Sequence, residues 1–276
     1  MIRGIDHLVI AVADADRAAD ELEAATGLRC TGGGRHERFG TRNRLAFLAD
    51  GSYVELIGIE DVGLAGHNPV GAATHRALER GGGLATLALC DDDLATTVAA
   101  RRAAGIELGP ILDGHRVRDD GEVVAWRTAF GDDDLVPDGV PFLIEHRYAG
   151  VEWGPEAMAA RAAYRHPVGS PVELTAVDVA SDDPGAAGER LAATLGLDVH
   201  AVADLAVAPI GPHMLRFRPA REMPIGATVT LRAAVDAPRI ADAAGTRWQI
   251  MPAADGGTGT DGRGLREPAE DPAAAG

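Results

Sequence analysis

The sequence contains no lysine, and all 26 of its basic residues are arginine. Against them stand 42 acidic residues, which give a formal net charge of −16. Such a surface repels phosphate backbones and anionic lipids, and no basic cluster offsets it locally. We therefore expect neither nucleic acid nor a membrane surface as a partner.

Cysteine and long apolar runs are also scarce. Only Cys30 and Cys90 are present, without CxxC spacing, so neither a disulfide framework nor a cysteine-only zinc site is expected. No stretch approaches about 18 uninterrupted apolar residues, and no basic segment followed by an apolar run opens the chain. We therefore expect a cytoplasmic protein. Because 46% of its 276 residues are hydrophobic, the chain can bury a full-sized core.

Apolar runs, helical periodicity and turn residues recur in one order along the chain. Residues 5–12 (IDHLVIAV) are typical of a buried strand, and the capped, amphipathic stretch 16–28 is typical of a helix. Further strands follow. The same order recurs from Gly83, with a helix predicted over 92–104 and a last strand, VPFLIEHR, at 140–147. A repeat of about 80 residues predicts a duplicated supersecondary unit.

This duplication defines the predicted domains. They are, in chain order, a domain of two modules (1–148, with modules at about 1–60 and 83–148), a connector (149–171), a third, degenerate module (172–252) and a disordered tail (253–276). In the third module, Ser181 or Asp182 is expected to cap a helix that begins near Pro184.

Four phrases resemble the glyoxalase-like domain family of the vicinal-oxygen-chelate superfamily. They are IDHLVIAV at 5–12, GGGRHERFGTRNRLAFLADGSYVELIG at 32–58, VPFLIEHR at 140–147 and RHPVGSPVELTAVDVA at 165–180. The resemblance implies an α+β fold, in which repeated βαβββ modules form cupped mixed sheets with helices outside. It also implies a divalent metal in the cup, held by a His or Gln early in a module's first strand and a Glu near the end of its last strand.

On this resemblance the chain offers three metal ligands. His7 and Glu55 match the two positions of the first module, and Glu145 matches the late Glu of the second. Alternation along a strand also places His7 and Glu55 on the concave side of the predicted sheet. Imidazole and carboxylate together suit zinc, iron, manganese or nickel. Glu55 and Glu145 are also the candidate catalytic groups for moving a proton.

The remaining ligand positions hold residues that do not bind metals. In the second module the early position falls on Leu84 or Ala85, and in the third module Leu174 and about Arg232 take the two places. Four ligands are thus reduced to three. Three ligands permit a catalytic metal with open positions, and they equally permit a site that has lost its metal.

Other polar residues have two interpretations each. His36 and Asn43 flank a turn after three glycines, where the backbone approaches a ligand closely, so they are candidate substrate-binding residues; the alternative is ordinary turn chemistry. His7 is alternatively a neutral core histidine paired with Glu55. His146 follows Glu145 directly, so the two point to opposite faces and only one of them lies in the cup.

Three functions are compatible with these residues. The first is a metal-dependent lyase or isomerase acting on a small oxygenated molecule. The second is a metal-free small-molecule-binding protein of the same fold, as in antibiotic-sequestering (bleomycin resistance) proteins. The third, a ring-cleaving dioxygenase, requires two His and one Glu around iron. A small-molecule ligand is the expected partner, and a homodimer is left open.

Overall fold

A computed structural model gives the architecture and describes residues 1–118, 121–131, 134–137, 139–146, 156, 159–160 and 164–253. The predicted tail, apart from its first residue, and most of the predicted connector lie outside these residues.

The first module comprises β1 (Ile2–Ala11), α1 (Ala15–Thr26), β2 (Gly32–His36), β3 (Thr41–Phe47) and β4 (Tyr53–Ile59). The linking helices are α2 (Val62–Ala65) and α3 (Pro69–Glu79). The second module comprises β5 (Gly83–Asp91), α4 (Leu94–Ala103), β6 (Leu112–Arg118), β7 (Val123–Ala129) and β8 (Phe142–His146).

The first two modules close into one eight-stranded barrel, in the order β1-β4-β3-β2-β6-β7-β8-β5. Within each module the first strand pairs in parallel with the last, β1 with β4 and β5 with β8. The modules join through the antiparallel pairs β1–β5 and β2–β6. This pairing confirms the predicted α+β fold of cupped mixed sheets built from βαβββ modules.

Helices α1 and α4 begin in the same way after the first strand of their modules. The Asp14 side chain accepts the backbone N–H of Arg17, and the Asp93 side chain accepts that of Thr96. Such caps satisfy N–H groups that have no partner within the helix. Helix α1 ends at Gly27, whose φ of 75° is a left-handed conformation that glycine adopts at little cost. Both helices match the predicted ranges to within two residues.

The rest of the described chain forms a seven-stranded sheet in the order β10-β11-β12-β9-β13-β15-β14. Its elements are β9 (Glu173–Ser181), α5 (Pro184–Leu195), β10 (His200–Val202), β11 (Leu205–Ile210), β12 (His213–Pro219), β13 (Ala227–Ala233), β14 (Arg239–Ala243) and β15 (Thr246–Pro252). As in the barrel, β9 pairs in parallel with β12 and antiparallel with β13, which pairs in parallel with β15. Strands β9–β12 and α5 make one module, and β13–β15 add a shortened further one. In the part of the chain that the structure describes, no strand joins β10 to β14, so this sheet stays open.

The main hydrophobic core joins the barrel to this open sheet. It includes Leu8 and Leu22 from the first module together with Val177 and Trp248 from the open sheet, and all four are fully buried. Burying an aliphatic side chain of this size contributes about 1.5–3 kcal/mol. The two sheets therefore stabilise each other through one shared core.

A smaller apolar cluster lies inside one end of the barrel, where α3 packs. Ala73 and Ala77 of α3 belong to this cluster with Val9, Ala11 and Ile57 of the barrel strands. Val9 and Ala11 share the inward face of β1, because side chains alternate along a strand. Helix α3 therefore covers this end of the barrel.

The two cysteines are free. Burial raises the pKa of Cys30 and of Cys90 to about 12, so neither is a thiolate at neutral pH. Among the described residues, no helix combines the length and the apolar character that crossing a bilayer requires.

Candidate functional site

His7 lies on β1 and points into the barrel, where its side chain is buried. The ring of Tyr53 stacks on its imidazole with the centroids 4.5 Å apart, and the ring of Phe142 meets it edge-on at 5.7 Å. The neighbouring residues Leu8 and Ile10 face away from it, into the main core. Strand alternation thus fixes His7 against two aromatic rings.

Glu55 reaches the same interior from β4. Its Oε1 accepts a hydrogen bond of 2.6 Å from Nδ2 of Asn43, and its Oε2 lies 3.5 Å from Nε2 of His7. Val54 and Leu56, on either side, face the main core. The structure therefore brings together three of the sequence-predicted site residues: His7, Asn43 and Glu55.

His36 lines the cavity beside Asn43, on the hairpin formed by β2 and β3. Its Nδ1 lies 2.9 Å from the Thr41 hydroxyl. Burial lowers the pKa of His36 to about 4, although the nearby Glu55 carboxylate raises it in part. The imidazole is therefore neutral at physiological pH and serves as a polar, uncharged part of the wall.

Glu145 does not enter the cavity. Its carboxylate pairs with Arg127 and accepts the backbone N–H of Leu94 at 2.9 Å, at the start of α4. Strand alternation is the reason, because Ile144 and His146 line the cavity and Glu145 must then face the outside of β8. The predicted metal-binding and catalytic roles of Glu145 are corrected accordingly.

The helix caps identify the counterpart of His7 in the second module. His7 precedes the cap Asp14 by the same number of residues as Thr86 precedes the cap Asp93. The equivalent position is therefore Thr86, adjacent to the predicted Ala85. Its hydroxyl is neutral and is not among the usual ligands of zinc or of the other transition metals.

Strand register identifies the counterpart of Glu55. Glu55 pairs with Val9 on β1, and Phe142 pairs with Ala88 on β5. Val9 and Ala88 are equivalent by the alignment of the caps, so Phe142 stands where the first module has its carboxylate. Sequence comparison had instead matched this place to Glu145.

The positions equivalent to His7 and Glu55 can also be located in the open sheet, where they hold other residues. Its parallel register places Ala176 at the position of His7 and Arg216 at that of Glu55. Arg216 donates a hydrogen bond of 2.7 Å to the buried Asp178. These residues replace the predicted Leu174 and Arg232, and the third module again has neither His nor Glu at the two places.

Asp6 and His146 belong to the site although they were not selected from the sequence. Nδ1 of His7 donates to Oδ1 of Asp6 at 2.6 Å, and Nε2 of His146 donates to both Asp6 oxygens at 3.0 and 3.1 Å. Burial alone would raise the pKa of Asp6, but the two imidazoles hold it well below its usual range. Regular alternation from His7 predicts that Asp6 faces the opposite side of the strand, toward the helix. A register shift of β1 between Ile5 and His7 re-aims it, and nothing in the sequence announces that bulge.

These side chains surround a cavity of about 270 Å³ inside the barrel. Besides the polar groups, its wall includes Tyr53, Trp126, Phe130, Phe142 and Ile144. The exposed residues that line it mark its mouth: Arg38, His67, Pro69, Leu112 and Asp113. The cavity thus has a buried polar corner, aromatic walls and one solvent-facing rim.

The donor set of this cavity does not fit a divalent metal. Among the described residues, no three His, Cys, Asp or Glu side chains lie close enough together to hold a metal ion. His7 and Glu55 supply two donors, and the second module offers Thr86 and Phe142 at the corresponding places. The iron site of two His and one Glu that a ring-cleaving dioxygenase requires is not assembled by these residues either.

A solved structure with a TM-score of 0.73 shows the fold, and two others match more weakly. A hypothetical protein from Staphylococcus aureus matches with a TM-score of 0.73 at 15% identity, covering 90% of this chain and 99% of that chain. A variant of the Streptomyces coelicolor methylmalonyl-CoA epimerase, in complex with 2-nitronate-propionyl-CoA, matches at 22% identity over 52% of this chain and 98% of that one, with a TM-score of 0.38. The methylmalonyl-CoA epimerase from Mycobacterium tuberculosis matches at 20% identity over 52% and 87%, with a TM-score of 0.37.

No curated protein matches the chain. The profile of the glyoxalase-like domain, in contrast, matches residues 5–195. That range includes the barrel strands, except the first three residues of β1, and the first strand and helix of the open sheet. The chain therefore belongs to the glyoxalase-like domain family.

Proposed function

We propose that this protein binds a small oxygenated molecule in the barrel cavity without a divalent metal. One observation carries the proposal: where the first module presents His7 and Glu55, the second presents Thr86 and Phe142. Catalytic metal sites generally use about three protein ligands. Two metal-binding side chains, His7 and Glu55, opposite an aromatic ring are too few to hold a metal ion.

The composition of the wall supports binding of a small organic molecule. The rings of Phe130 and Phe142 stack with centroids 5.3 Å apart, and Trp126 adds a further aromatic surface. Small-molecule sites typically combine such apolar walls with a few placed polar groups. Because the cavity measures about 270 Å³, the enclosed part of the ligand is small.

Metal-independent isomerase or lyase chemistry is a second candidate, and one observation favours it. Asp6, His7 and Glu55 form a row of groups that can move a proton, with Asp6 orienting the imidazole through its 2.6 Å hydrogen bond. In this function the Glu55 carboxylate removes a proton from a carbon next to a ligand oxygen and passes it to Nε2 of the neutral His7, 3.5 Å away, and the resulting imidazolium, stabilised by Asp6, returns it to another atom of the ligand. The residues of the cavity support this chemistry only if the substrate carries its own activating group.

Elemental analysis of protein purified without a histidine tag tests the metal-free proposal. We expect far less than one divalent metal ion per chain, with no difference between the wild type and His7→Ala. One equivalent of metal in the wild type that is lost in His7→Ala would overturn the proposal.

A thermal-shift screen of small oxygenated molecules tests binding itself. We expect ligands that raise the melting temperature equally with EDTA and with added Zn²⁺, and whose effect is weakened by Glu55→Leu. Glu145→Gln is the matched control, because Glu145 lies outside the cavity. Incubation of a ligand in D₂O then separates the two candidates, since proton abstraction by Glu55 exchanges a carbon-bound hydrogen and simple binding does not.

A further inference from the structure

We propose that the gap between Nε2 of His7 and Oε2 of Glu55 is the head-group subsite of the cavity, and that it takes a hydrogen-bond donor of the ligand, either a hydroxyl or a protonated amine. The inference rests on the metal-free binding function above and specifies its ligand class. The family resemblance implies a metal ion between these two residues, and a hydrogen-bond donor of the ligand takes that place in this inference.

The contact with Asp6 determines which ring nitrogen of His7 carries a hydrogen. Its Nδ1 lies 2.6 Å from Oδ1 of Asp6, a carboxylate that can only accept, so Nδ1 carries the hydrogen. Asp6 is held ionised because His146 also donates to it. In the neutral ring Nε2 is then an acceptor, and it points toward Glu55.

Glu55 presents a second acceptor to the same space. Its Oε1 is already engaged by the Asn43 amide at 2.6 Å, while its Oε2 stands 3.5 Å from His7 Nε2. That separation exceeds the usual range for a hydrogen bond of this type, about 2.7–3.2 Å. Two acceptors therefore face each other without a direct hydrogen bond between them, and a donor placed beside them satisfies both.

Asn43 adds a third acceptor. Its Nδ2 donates to Glu55, and its Oδ1 is buried with no hydrogen-bond partner among the described residues. Turning the amide round would set oxygen against carboxylate, so this orientation is fixed. Asn43 is 2% exposed and lines the cavity, and a buried acceptor without a partner costs about 1–3 kcal/mol until a ligand satisfies it.

Two basic side chains near this corner are engaged elsewhere or uncharged. Nη1 of Arg116 donates to the Gly33 carbonyl at 2.9 Å. His36 is neutral, with its Nδ1 at the Thr41 hydroxyl. The gap between His7 and Glu55 is therefore lined by acceptors, including the charged Glu55 carboxylate, while the positively charged Arg116 donates to the Gly33 carbonyl. It favours a hydroxyl or an ammonium group and disfavours a carboxylate.

Four monosubstituted benzenes of nearly equal size test the inference on the full-length wild-type protein. Benzyl alcohol and benzylamine carry a donor, benzyl fluoride carries none, and benzoate carries a charged acceptor. Their dissociation constants are measured by NMR titration with EDTA present, and the resonances that shift locate the site. We expect the alcohol and the amine to bind at least tenfold more tightly than the fluoride, and benzoate to bind least.

The variant Glu55→Gln locates the preference and separates the two kinds of donor. It removes the negative charge of Glu55 and adds an amide donor. Benzylamine should then bind no more tightly than benzyl fluoride, while benzyl alcohol should keep part of its higher affinity over the fluoride. Glu145→Gln is the control and should leave all four constants unchanged.

The outcomes test the head-group inference and the proposed metal-free binding function separately. If the four probes bind equally in the cavity, or if benzoate binds best, the head-group inference is overturned and metal-free binding stands. If no probe binds and a stoichiometric divalent metal is found at His7, the proposed function fails as well. Because the comparison of probes needs only wild-type protein, it remains decisive even if a variant does not fold.

Discussion

Asn43 donates its 2.6 Å hydrogen bond to Glu55 inside the barrel, where both side chains are buried. Removing the donor leaves a buried carboxylate oxygen without its partner, which costs about 1–3 kcal/mol. We expect Asn43→Ala to lower the free energy of unfolding by that amount in urea denaturation. Combining it with Glu55→Leu should cost less than the sum of the two single variants, because both polar groups are then gone. Strictly additive costs would show that the bond contributes nothing.

His166, within the predicted connector, contacts the barrel and contributes with His36 to the pH dependence of stability. Its Nδ1 accepts the Arg29 N–H at 3.1 Å, and its Nε2 donates to the Phe47 carbonyl at 2.8 Å. Burial lowers the pKa of His166 below its ordinary 6.5, although the Phe47 carbonyl raises it in part. Since the folded pKa lies below the unfolded one, the stabilisation is present above pH 6.5 and is lost as the pH falls from there toward the folded pKa.

The free energy of unfolding should therefore decline below pH 6.5, and His166→Gln should make that decline shallower, leaving the part that His36 contributes. Denaturation curves at a series of pH values measure it. His67→Gln is the matched control, since His67 is exposed. Equal flattening in both variants would contradict the assignment to His166.

Alternation along a strand predicts the face on which some residues lie correctly and misplaces others. It placed His7 and Glu55 correctly on the inward face, because β1 and β4 are regular around them. It misplaced Asp6, because a register shift turns that residue toward His146. The likeness of the PFLIE phrase to a late-strand Glu favoured Glu145, whereas register selects Phe142, and a shift of an odd number of residues moves a side chain to the other face.

Among the features of helices and strands, the helix caps are the ones that the sequence predicts best. Asp14, Asp93 and Asp183 each accept a backbone N–H at the start of a helix, in three successive modules. The last of them lies just beyond the predicted Ser181 or Asp182. The sequence does not predict β13 to β15 as a further module, because no amphipathic helix separates β13 from β14 to mark the repeat.

A cap substitution measures the contribution of one such element. We expect Asp93→Ala to lower the free energy of unfolding by about 1 kcal/mol, since the first N–H groups of α4 lose their acceptor. Asp93→Asn should lose much less, because the amide oxygen also caps. Asp92→Ala, which removes a neighbouring exposed carboxylate, serves as the control in the same denaturation experiment. Equal losses at both positions would argue against a capping role.

The core shared by the barrel and the open sheet has a consequence for the whole molecule. Trp126 lines the cavity of the barrel, and Trp248 is fully buried in the open sheet. Because both sheets contribute to one core, we expect them to unfold in a single cooperative step. Protein labelled with 5-fluorotryptophan and followed by ¹⁹F NMR in urea should show the Trp126 and Trp248 signals changing at the same midpoint. Separate midpoints would mean that the two sheets are independent folding units.

The position of the cavity mouth bears on how this protein is best captured. Its rim, with Arg38, Leu112 and Asp113, is the solvent-facing part of the wall, and α3 covers one end of the barrel. A molecule whose donor group sits at His7 must turn its opposite end toward that rim. A spacer arm fixed to that end leaves through the rim and spares the contacts inside. An affinity resin coupled in this way should retain the protein and release it to free ligand, whereas a resin coupled through the donor group itself should let it flow through.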